Sequence, residues 1–111
     1  MLKKQNRLTR VGNFKTDKLF TSRLFNLRTS KNQEGRTRFA FIVSKKIDAR
    51  ATVRNRTKRI LRSMVEEALA NLKSGFDFIF TLKRPLSTEE KQEALNSLED
   101  VFKKAQVLKN E

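Results

Sequence analysis

Three stretches of the chain alternate apolar and polar residues with the period of a β-strand. In residues 24–29, 38–44 and 76–82, phenylalanine, leucine or valine occupies every second position. Because successive side chains of a strand point to opposite faces, each stretch predicts one face that is buried in a core. The first two stretches are joined by a polar loop that contains Gly35, and we expect them to form an antiparallel pair.

Two longer stretches repeat apolar residues at the helical period instead. A helix is predicted over about residues 52–72, with a wide apolar stripe suited to packing on a sheet. Gly75 follows this helix and suits a C-terminal cap. A last helix is predicted to open at Ser87, which has the spacing of a capping box with Glu90. Alternating strands and helices favour an α+β domain with helices against one face of a small sheet.

The length of 111 residues is that of a single domain with one core. Residues 1–23 are basic and weakly patterned, and Phe14, Leu19 and Phe20 could anchor at most a short helix there. The chain shows neither an apolar run of the roughly 18 residues that span a membrane nor a secretory signal pattern. We therefore expect a cytoplasmic location.

Basic residues outnumber acidic ones by 26 to 12, which leaves a formal net charge of +14. A surplus of this size bears on partners rather than on fold, and it favours a polyanion. Nucleic acid is the leading candidate. An anionic membrane surface is the weaker one, because the apolar faces of the helices are needed for the core.

The chain contains no histidine, cysteine, tyrosine or tryptophan. No side chain therefore titrates near neutral pH without a large shift, and the usual ligands of a zinc site are absent. The remaining carboxylates show no metal-binding spacing (Asp17, Asp48, Glu66, Glu67 and Asp77). We predict no catalytic residue and no metal site in the chain itself, and expect another molecule to supply any chemistry.

The strongest motif is a run of cations at the predicted start of the long helix. Five basic side chains fall within nine residues, with no acid among them: Arg54, Arg56, Lys58, Arg59 and Arg62. Unpaired N–H groups make a helix start partly positive, so cations at this end cost folding stability. A solvated helix face is the plain alternative, but the dominance of arginine favours binding to phosphate. Lys45, Lys46 and Arg50 extend the cluster before the helix.

Nine phenylalanines raise the question of base stacking. Their alternation within the predicted strands favours core packing instead. Phe14 lies outside any predicted strand, so it is the one phenylalanine that we retain as a candidate for contact with RNA.

Together these residues resemble the signature of the protein subunit of bacterial ribonuclease P. A Val-Ser-Lys-Lys strand end is followed by an Arg-Asn-Arg helix start, here at 43–46 (VSKK) and 54–59 (RNRTKR). Residues 6–8 (NRL) and 75–77 (GFD) are similar as well. The resemblance covers nearly the whole chain. It implies one α+β domain over residues 1–111, with elements in the order αβββαβα and a mixed central sheet. It also implies a left-handed βαβ crossover, as in domain 2 of ribosomal protein S5, which is an exception to the usual hand.

The resemblance further implies that a large RNA is the catalyst, which removes the 5′ leader of precursor tRNA using magnesium bound mainly by the RNA. The protein would be the RNA-binding subunit, with one copy per ribonuclease P RNA. Its RNA-contacting set, which includes Arg50 from the adjoining patch, is Lys45, Lys46, Arg50, Arg54, Asn55, Arg56, Lys58, Arg59 and Arg62. A cleft for the single-stranded leader would involve Phe14, Asn26, Arg28, Ala40, Ile42 and Ser44, with Asn55, Arg59 and Arg62 as its helical wall.

Two other hypotheses stay open. A ribosomal protein or RNA chaperone without an enzymatic role would share the composition and could share the sheet. An autonomous magnesium nuclease would need clustered carboxylates, which the sequence does not show. The RNA recovered with the protein separates the first of these from a ribonuclease P subunit.

Overall fold

The computed structural model describes residues 3–8 and 15–109. It contains four strands: β1 (Lys18–Thr21), β2 (Phe25–Lys31), β3 (Arg38–Ile42) and β4 (Phe76–Leu82). They form one mixed sheet in the spatial order β1-β2-β4-β3. Two α-helices, α1 (Ala51–Ala68) and α2 (Lys91–Ala105), follow β3 and β4. Short 3₁₀ turns occupy Lys4–Asn6, Leu69–Asn71 and Thr88–Glu90. The predicted α+β class with a mixed central sheet is confirmed.

Strand pairing departs from the sequence-based expectation at one point. β2 and β3 do not pair with each other, because β4 lies between them, antiparallel to β2 and parallel to β3. The predicted antiparallel pair was therefore wrong. The physical reason is that β4 is apolar on both faces: Ile79, between Phe78 and Phe80, is also fully buried. A strand that is buried on both faces takes a central position. β3, α1 and β4 form the expected βαβ crossover, whose left hand stays a prediction.

The basic N-terminal segment contributes a strand that its sequence pattern did not reveal. β1 pairs antiparallel with β2, with Phe20 opposite Leu27. Phe20 packs against the core from this strand, so the expectation that it helps to anchor a short helix was wrong. The expected helix around Phe14 lies outside the described residues. Within residues 3–8 the chain forms a 3₁₀ turn and then a bridge from Arg7 to Phe39 on the free edge of β3.

Both helices pack on the same face of the sheet. The core joins β-strand residues such as Phe39 and Phe80 to Leu61 and Met64 of α1 and to Phe102 of α2. The ring centroids of Phe80 and Phe102 lie 6.4 Å apart in an edge-on arrangement that favours aromatic packing. All eight described phenylalanines belong to this core or pack against it: Phe20, Phe25, Phe39, Phe41, Phe76, Phe78, Phe80 and Phe102. For these eight, the prediction of core packing rather than base stacking is confirmed.

The helix ends match the predictions in part. α1 continues through its 3₁₀ turn to Asn71, close to the predicted end at about residue 72. Gly75 does not cap this helix. It adopts φ +90° in the turn before β4, where its carbonyl accepts a hydrogen bond from the N–H of Asn32 at 2.7 Å. The capping box of Ser87 and Glu90 is present. Hydrogen bonds from the Ser87 N–H and hydroxyl lower the pKa of Glu90.

Candidate nucleic-acid interface

The predicted basic cluster occupies the exposed side of the first half of α1. The buried residues of α1 are Val53, Thr57, Leu61, Met64 and Val65, which follow one helical stripe. At 100° per residue, Asn55, Arg59 and Arg62 fall within about 60° of one another and point roughly away from that stripe. The burial pattern agrees, because Asn55, Arg56 and Arg59 are exposed and Arg62 is half-buried. The helix therefore presents a row of guanidinium groups on a rigid element.

These guanidinium groups have no acidic partner in the part of the chain that the structure describes. The first turn of α1 contains no acid, and Arg56, Arg59 and Arg62 take part in none of the ion pairs there. Cations at the positive end of a helix repel its dipole, and neighbouring carboxylates normally offset that cost. The carboxylate at this helix start, Asp48, is engaged by Arg50, so the charges of Arg56, Arg59 and Arg62 stay available to an external anion.

Arg50 and Arg54 have a different environment from the other cations. Arg50 is the N-cap residue of α1, and its backbone N–H and side chain both donate to the carboxylate of Asp48 at 2.9–3.1 Å. These bonds, the side-chain one first, lower the pKa of Asp48 to about 2. Arg54 donates to the backbone carbonyls of Asp48 and Ala49 at 2.9 and 2.8 Å. Both arginines therefore fix the loop before α1, and Asp48 is a positioning residue that the sequence did not single out.

Thr57, inside the same motif, is a structural residue. Its side chain is fully buried between α1 and the loop that precedes α2. The hydroxyl donates to the carbonyl of Val53 at 3.0 Å and accepts from the N–H of Leu86 at 3.0 Å. One buried hydroxyl thereby satisfies a backbone donor that is distant in sequence and holds the basic turns of α1 in place.

The predicted leader-cleft residues lie largely on the sheet face opposite the helices. Strand register places Asn26 and Ile42 on either side of Thr81, and Arg28 and Ala40 on either side of Ile79. Four predicted residues are thus brought into two neighbouring rows across β2, β4 and β3: Asn26, Arg28, Ala40 and Ile42. We call this surface the open sheet face.

Two predicted cleft residues are not placed on the open sheet face. Ser44 is exposed in the segment after β3, beyond the end of the strand. Phe14 lies outside the described residues. Conversely, the prediction missed Ile79 and Thr81 of β4, which form the middle of the face. Their alternation with the phenylalanines of β4 was the signal that could have identified them, because it assigns them to the opposite side of the strand.

Asn26 carries an unusual polar atom on the open sheet face. Its side-chain Oδ1 is buried but accepts no hydrogen bond from the residues that the structure describes. A buried acceptor without a donor costs free energy, so most such atoms in folded proteins are paired. The Asn26 side chain therefore places an unsatisfied acceptor just beneath the open sheet face.

Asp77 is the acidic residue of the strands on this face, and its charge is compensated. It is 6% exposed and accepts bonds from Arg38 Nε at 2.8 Å and from Asn32 Nδ2 at 2.7 Å. The hydrogen bond to Asp77 raises the pKa of Arg38. Because the Arg38 guanidinium neutralises the Asp77 carboxylate, Asp77 does not repel a polyanion on the open sheet face.

Two further findings concern residues 3–8 and 15–109. No three acidic side chains in these ranges come together in a group that could hold a metal ion. No helix in the same ranges combines the length and the apolar character that crossing a membrane requires.

Comparison with known proteins gives one consistent family. The ribonuclease P family, described as "Ribonuclease P", matches residues 2–106. The chain is 32% identical over 109 residues to the ribonuclease P protein component of Bacillus cereus strain Q1, and the alignment covers 94% of each protein. It is 38% identical over 72 residues to the corresponding component of a Pseudanabaena species, covering 65% of this chain and 62% of that protein.

The fold is shared as well. A structure of a mutant RNase P protein from Staphylococcus aureus superimposes with a TM-score of 0.78 at 26% identity, covering 94% of this chain and 91% of that one. The sheet and the two helices described above therefore recur in that protein.

Proposed function

The chain belongs to the ribonuclease P protein family, and from this premise we propose that it is the RNA-binding subunit of a ribonuclease P ribonucleoprotein that removes the 5′ leader of precursor tRNA. The observation that carries the proposal is a set of three arginines on the outer side of α1, Arg56, Arg59 and Arg62, which we call the arginine row. Arg56, Arg59 and Arg62 form no ion pair within the described residues. We assign this row to the phosphate backbone of the RNA partner.

Binding at the arginine row is electrostatic in the first instance. Each phosphate that a cation neutralises releases condensed counterions, which makes the affinity depend steeply on salt. The planar guanidinium fork also donates two parallel hydrogen bonds to phosphate oxygens, which sets the orientation of the contact. Lys45, Lys46 and Lys58 add point charges beside the row. In this scheme Arg50 and Arg54 contribute mainly by holding the loop and the helix start in place.

We assign the single-stranded leader to the open sheet face. The partly buried side chains of Ala40 and Ile42 offer apolar contact to bases, above a fully buried Ile79, and Arg28 offers charge to the phosphates between them. The face has no aromatic side chain among its described residues, so contact with bases here would rest on aliphatic packing and hydrogen bonds.

The hydrolytic chemistry belongs to the RNA in this proposal. The chain lacks the side chains that titrate near neutral pH. Magnesium held mainly by the RNA would activate the attacking water, while the protein reduces repulsion between RNA segments and retains the leader. The protein alone is therefore expected to cleave nothing.

The test is reconstitution of precursor-tRNA cleavage with a transcribed bacterial ribonuclease P RNA at low magnesium. The wild-type protein should stimulate cleavage, and the R56A/R59A/R62A variant should lose that stimulation. A matched control, R23A/R36A/R84A, removes three arginines from other surfaces. Arg23 and Arg84 form exposed ion pairs there, which contribute little to stability.

Two results would contradict the proposal. One is stimulation that survives in R56A/R59A/R62A at the wild-type level. The other is recovery of ribosomal RNA, rather than one structured RNA with precursor tRNA, when the protein is purified with its bound RNA. That second result would favour a ribosomal or RNA-chaperone role.

A further inference from the structure

A basic pocket lies apart from both the arginine row and the open sheet face. Three lysines from different parts of the chain, Lys18, Lys31 and Lys73, line a pocket of about 230 Å³. Asp17, Thr29, Phe76, Ala105 and Gln106 complete its wall. We call it the lysine pocket. Lys18 and Lys31 are exposed and Lys73 is half-buried, so their ammonium groups are accessible to solvent.

The lysine pocket lies beyond the C-terminal end of α1, at the sheet end where β4 begins, and is separate from the arginine row. Lys18 is opposite Thr29, and Lys31 is opposite Phe76, the first residue of β4. Because β3 and β4 are parallel, β4 begins at the sheet end remote from the point where β3 leads into α1. Arg56, Arg59 and Arg62 lie 12, 9 and 6 residues before the last residue of α1, so they are about 9–18 Å along the helix axis from the end next to the lysine pocket, at 1.5 Å per residue.

The backbone around the lysine pocket is fixed by hydrogen bonds. The N–H of Lys73 donates to the carbonyl of Val107 at 2.8 Å, and its ammonium donates to the carbonyl of Gln106 at 3.1 Å. The carboxylate of Asp17 accepts from the N–H of Lys31 at 2.9 Å. The pocket thus holds three ammonium groups and one carboxylate, and that carboxylate is already engaged by a backbone donor.

We propose that the lysine pocket binds one phosphate of the RNA backbone, as a contact separate from the arginine row. The inference rests on the proposed function, since it takes the same RNA as the ligand. Three lysines that line one pocket on a fixed backbone favour a compact anion, since lysine serves as a strongly hydrated point charge. An RNA held both at the arginine row and at the lysine pocket would be fixed in orientation across the protein as well as attracted to it.

The experiment compares two triple variants that remove the same charge. K18A/K31A/K73A removes the three positive charges of the lysine pocket, and K4A/K83A/K91A removes three lysines elsewhere. Both variants therefore have a net charge of +11 instead of +14. Binding of a transcribed bacterial ribonuclease P RNA is measured across a salt series. Loss of one phosphate contact should lower the salt slope by about 0.9 and the affinity about 5-fold at 0.15 M salt for K18A/K31A/K73A alone.

Folding is controlled by a second variant. Because the Lys73 side chain binds Gln106, the triple variant is accompanied by K18A/K31A, which alters two exposed side chains and should still lower the affinity. Equal affinities and slopes for the pocket and control triples would overturn the proposal. If R56A/R59A/R62A weakens binding while both pocket variants match wild type, the lysine pocket is refuted and the proposed function stands. If wild type binds no ribonuclease P RNA, both fail.

Discussion

The arginine row and the lysine pocket are both basic, and they are built from the chain in opposite ways. The row comes from one continuous segment of one helix, so its charges are neighbours in the sequence. The pocket joins three segments that are 13 and 42 residues apart, at Lys18, Lys31 and Lys73. Consecutive basic residues in a sequence therefore locate an interface only where a single helix or strand keeps them together.

The two regions also share one device. Each has an aspartate whose carboxylate accepts a backbone N–H: Asp48 from Arg50, and Asp17 from Lys31. In both cases the acid fixes the chain beside a basic surface. Asp48 also pairs with the exposed guanidinium of Arg50, but it leaves Arg56, Arg59 and Arg62 without an ion pair among the described residues.

The largest expected effect comes from removing both regions at once. R56A/R59A/R62A should lower RNA affinity about 100-fold at 0.15 M salt, from about 5-fold for each of three phosphate contacts. Adding K18A/K31A/K73A should bring the loss to about 500-fold, because sites this far apart contribute independently. The measurement is a binding titration of the four proteins. If the combined variant loses no more affinity than R56A/R59A/R62A, the lysine pocket makes no RNA contact of its own.

A smaller effect, on the free energy of unfolding, is expected at Thr57, whose buried hydroxyl links α1 to the N–H of Leu86. Replacing Thr57 with valine leaves the N–H of Leu86 buried without its acceptor, so the free energy of unfolding should fall by about 1–3 kcal/mol. Chemical denaturation measures this change. Ser97→Ala, a half-buried substitution on α2, serves as the control and should have little effect. An unchanged stability for T57V would show that the bond to Leu86 is not needed to hold α1.

Exchanging arginine for lysine, or lysine for arginine, tests whether the two regions bind phosphate in different ways. R56K/R59K/R62K keeps every positive charge but loses the guanidinium fork, so its affinity should fall by about 3- to 10-fold while the salt slope stays close to wild type. K18R/K31R/K73R should leave binding nearly unchanged, because the pocket uses point charge. Equal behaviour of the two exchanges would mean that both regions act through charge alone.

The smallest effect is a pH dependence that arises from Asp48. Its pKa in the folded protein is lowered to about 2 from an ordinary 3.8, so its contribution to stability is present above about pH 4 and is lost as the pH falls through 2. The unfolding midpoint of wild type should therefore drop more between pH 4 and pH 2 than that of D48N. Asp100→Asn, on the surface of α2, provides the matched control. If the unfolding midpoints of wild type and D48N change in parallel with pH, the Asp48 carboxylate does not stabilise the start of α1.

Sequence analysis predicted the surfaces better than the connections between them. Alternation in β2, β3 and β4 assigned the core phenylalanines to one face and Asn26, Arg28 and Ile42 to the other, as the structure shows. It did not reveal β1, because Lys18–Thr21 has four residues and only one of them packs against the core. It also paired β2 with β3, because a short polar loop joins them and local spacing does not show that a later strand inserts between them.

The sequence by itself determined which faces of β2, β3 and the two helices turn to the core and where the arginine row lies, because both follow from local periodicity within a single strand or helix. Only the tertiary structure decided that β4 divides β2 from β3 and that Lys18, Lys31 and Lys73 meet. Those results depend on strand register and on the packing of α2, which are contacts between segments distant in sequence. Pairing across such distances is selected by the burial of the whole core, and no short pattern in the chain encodes it.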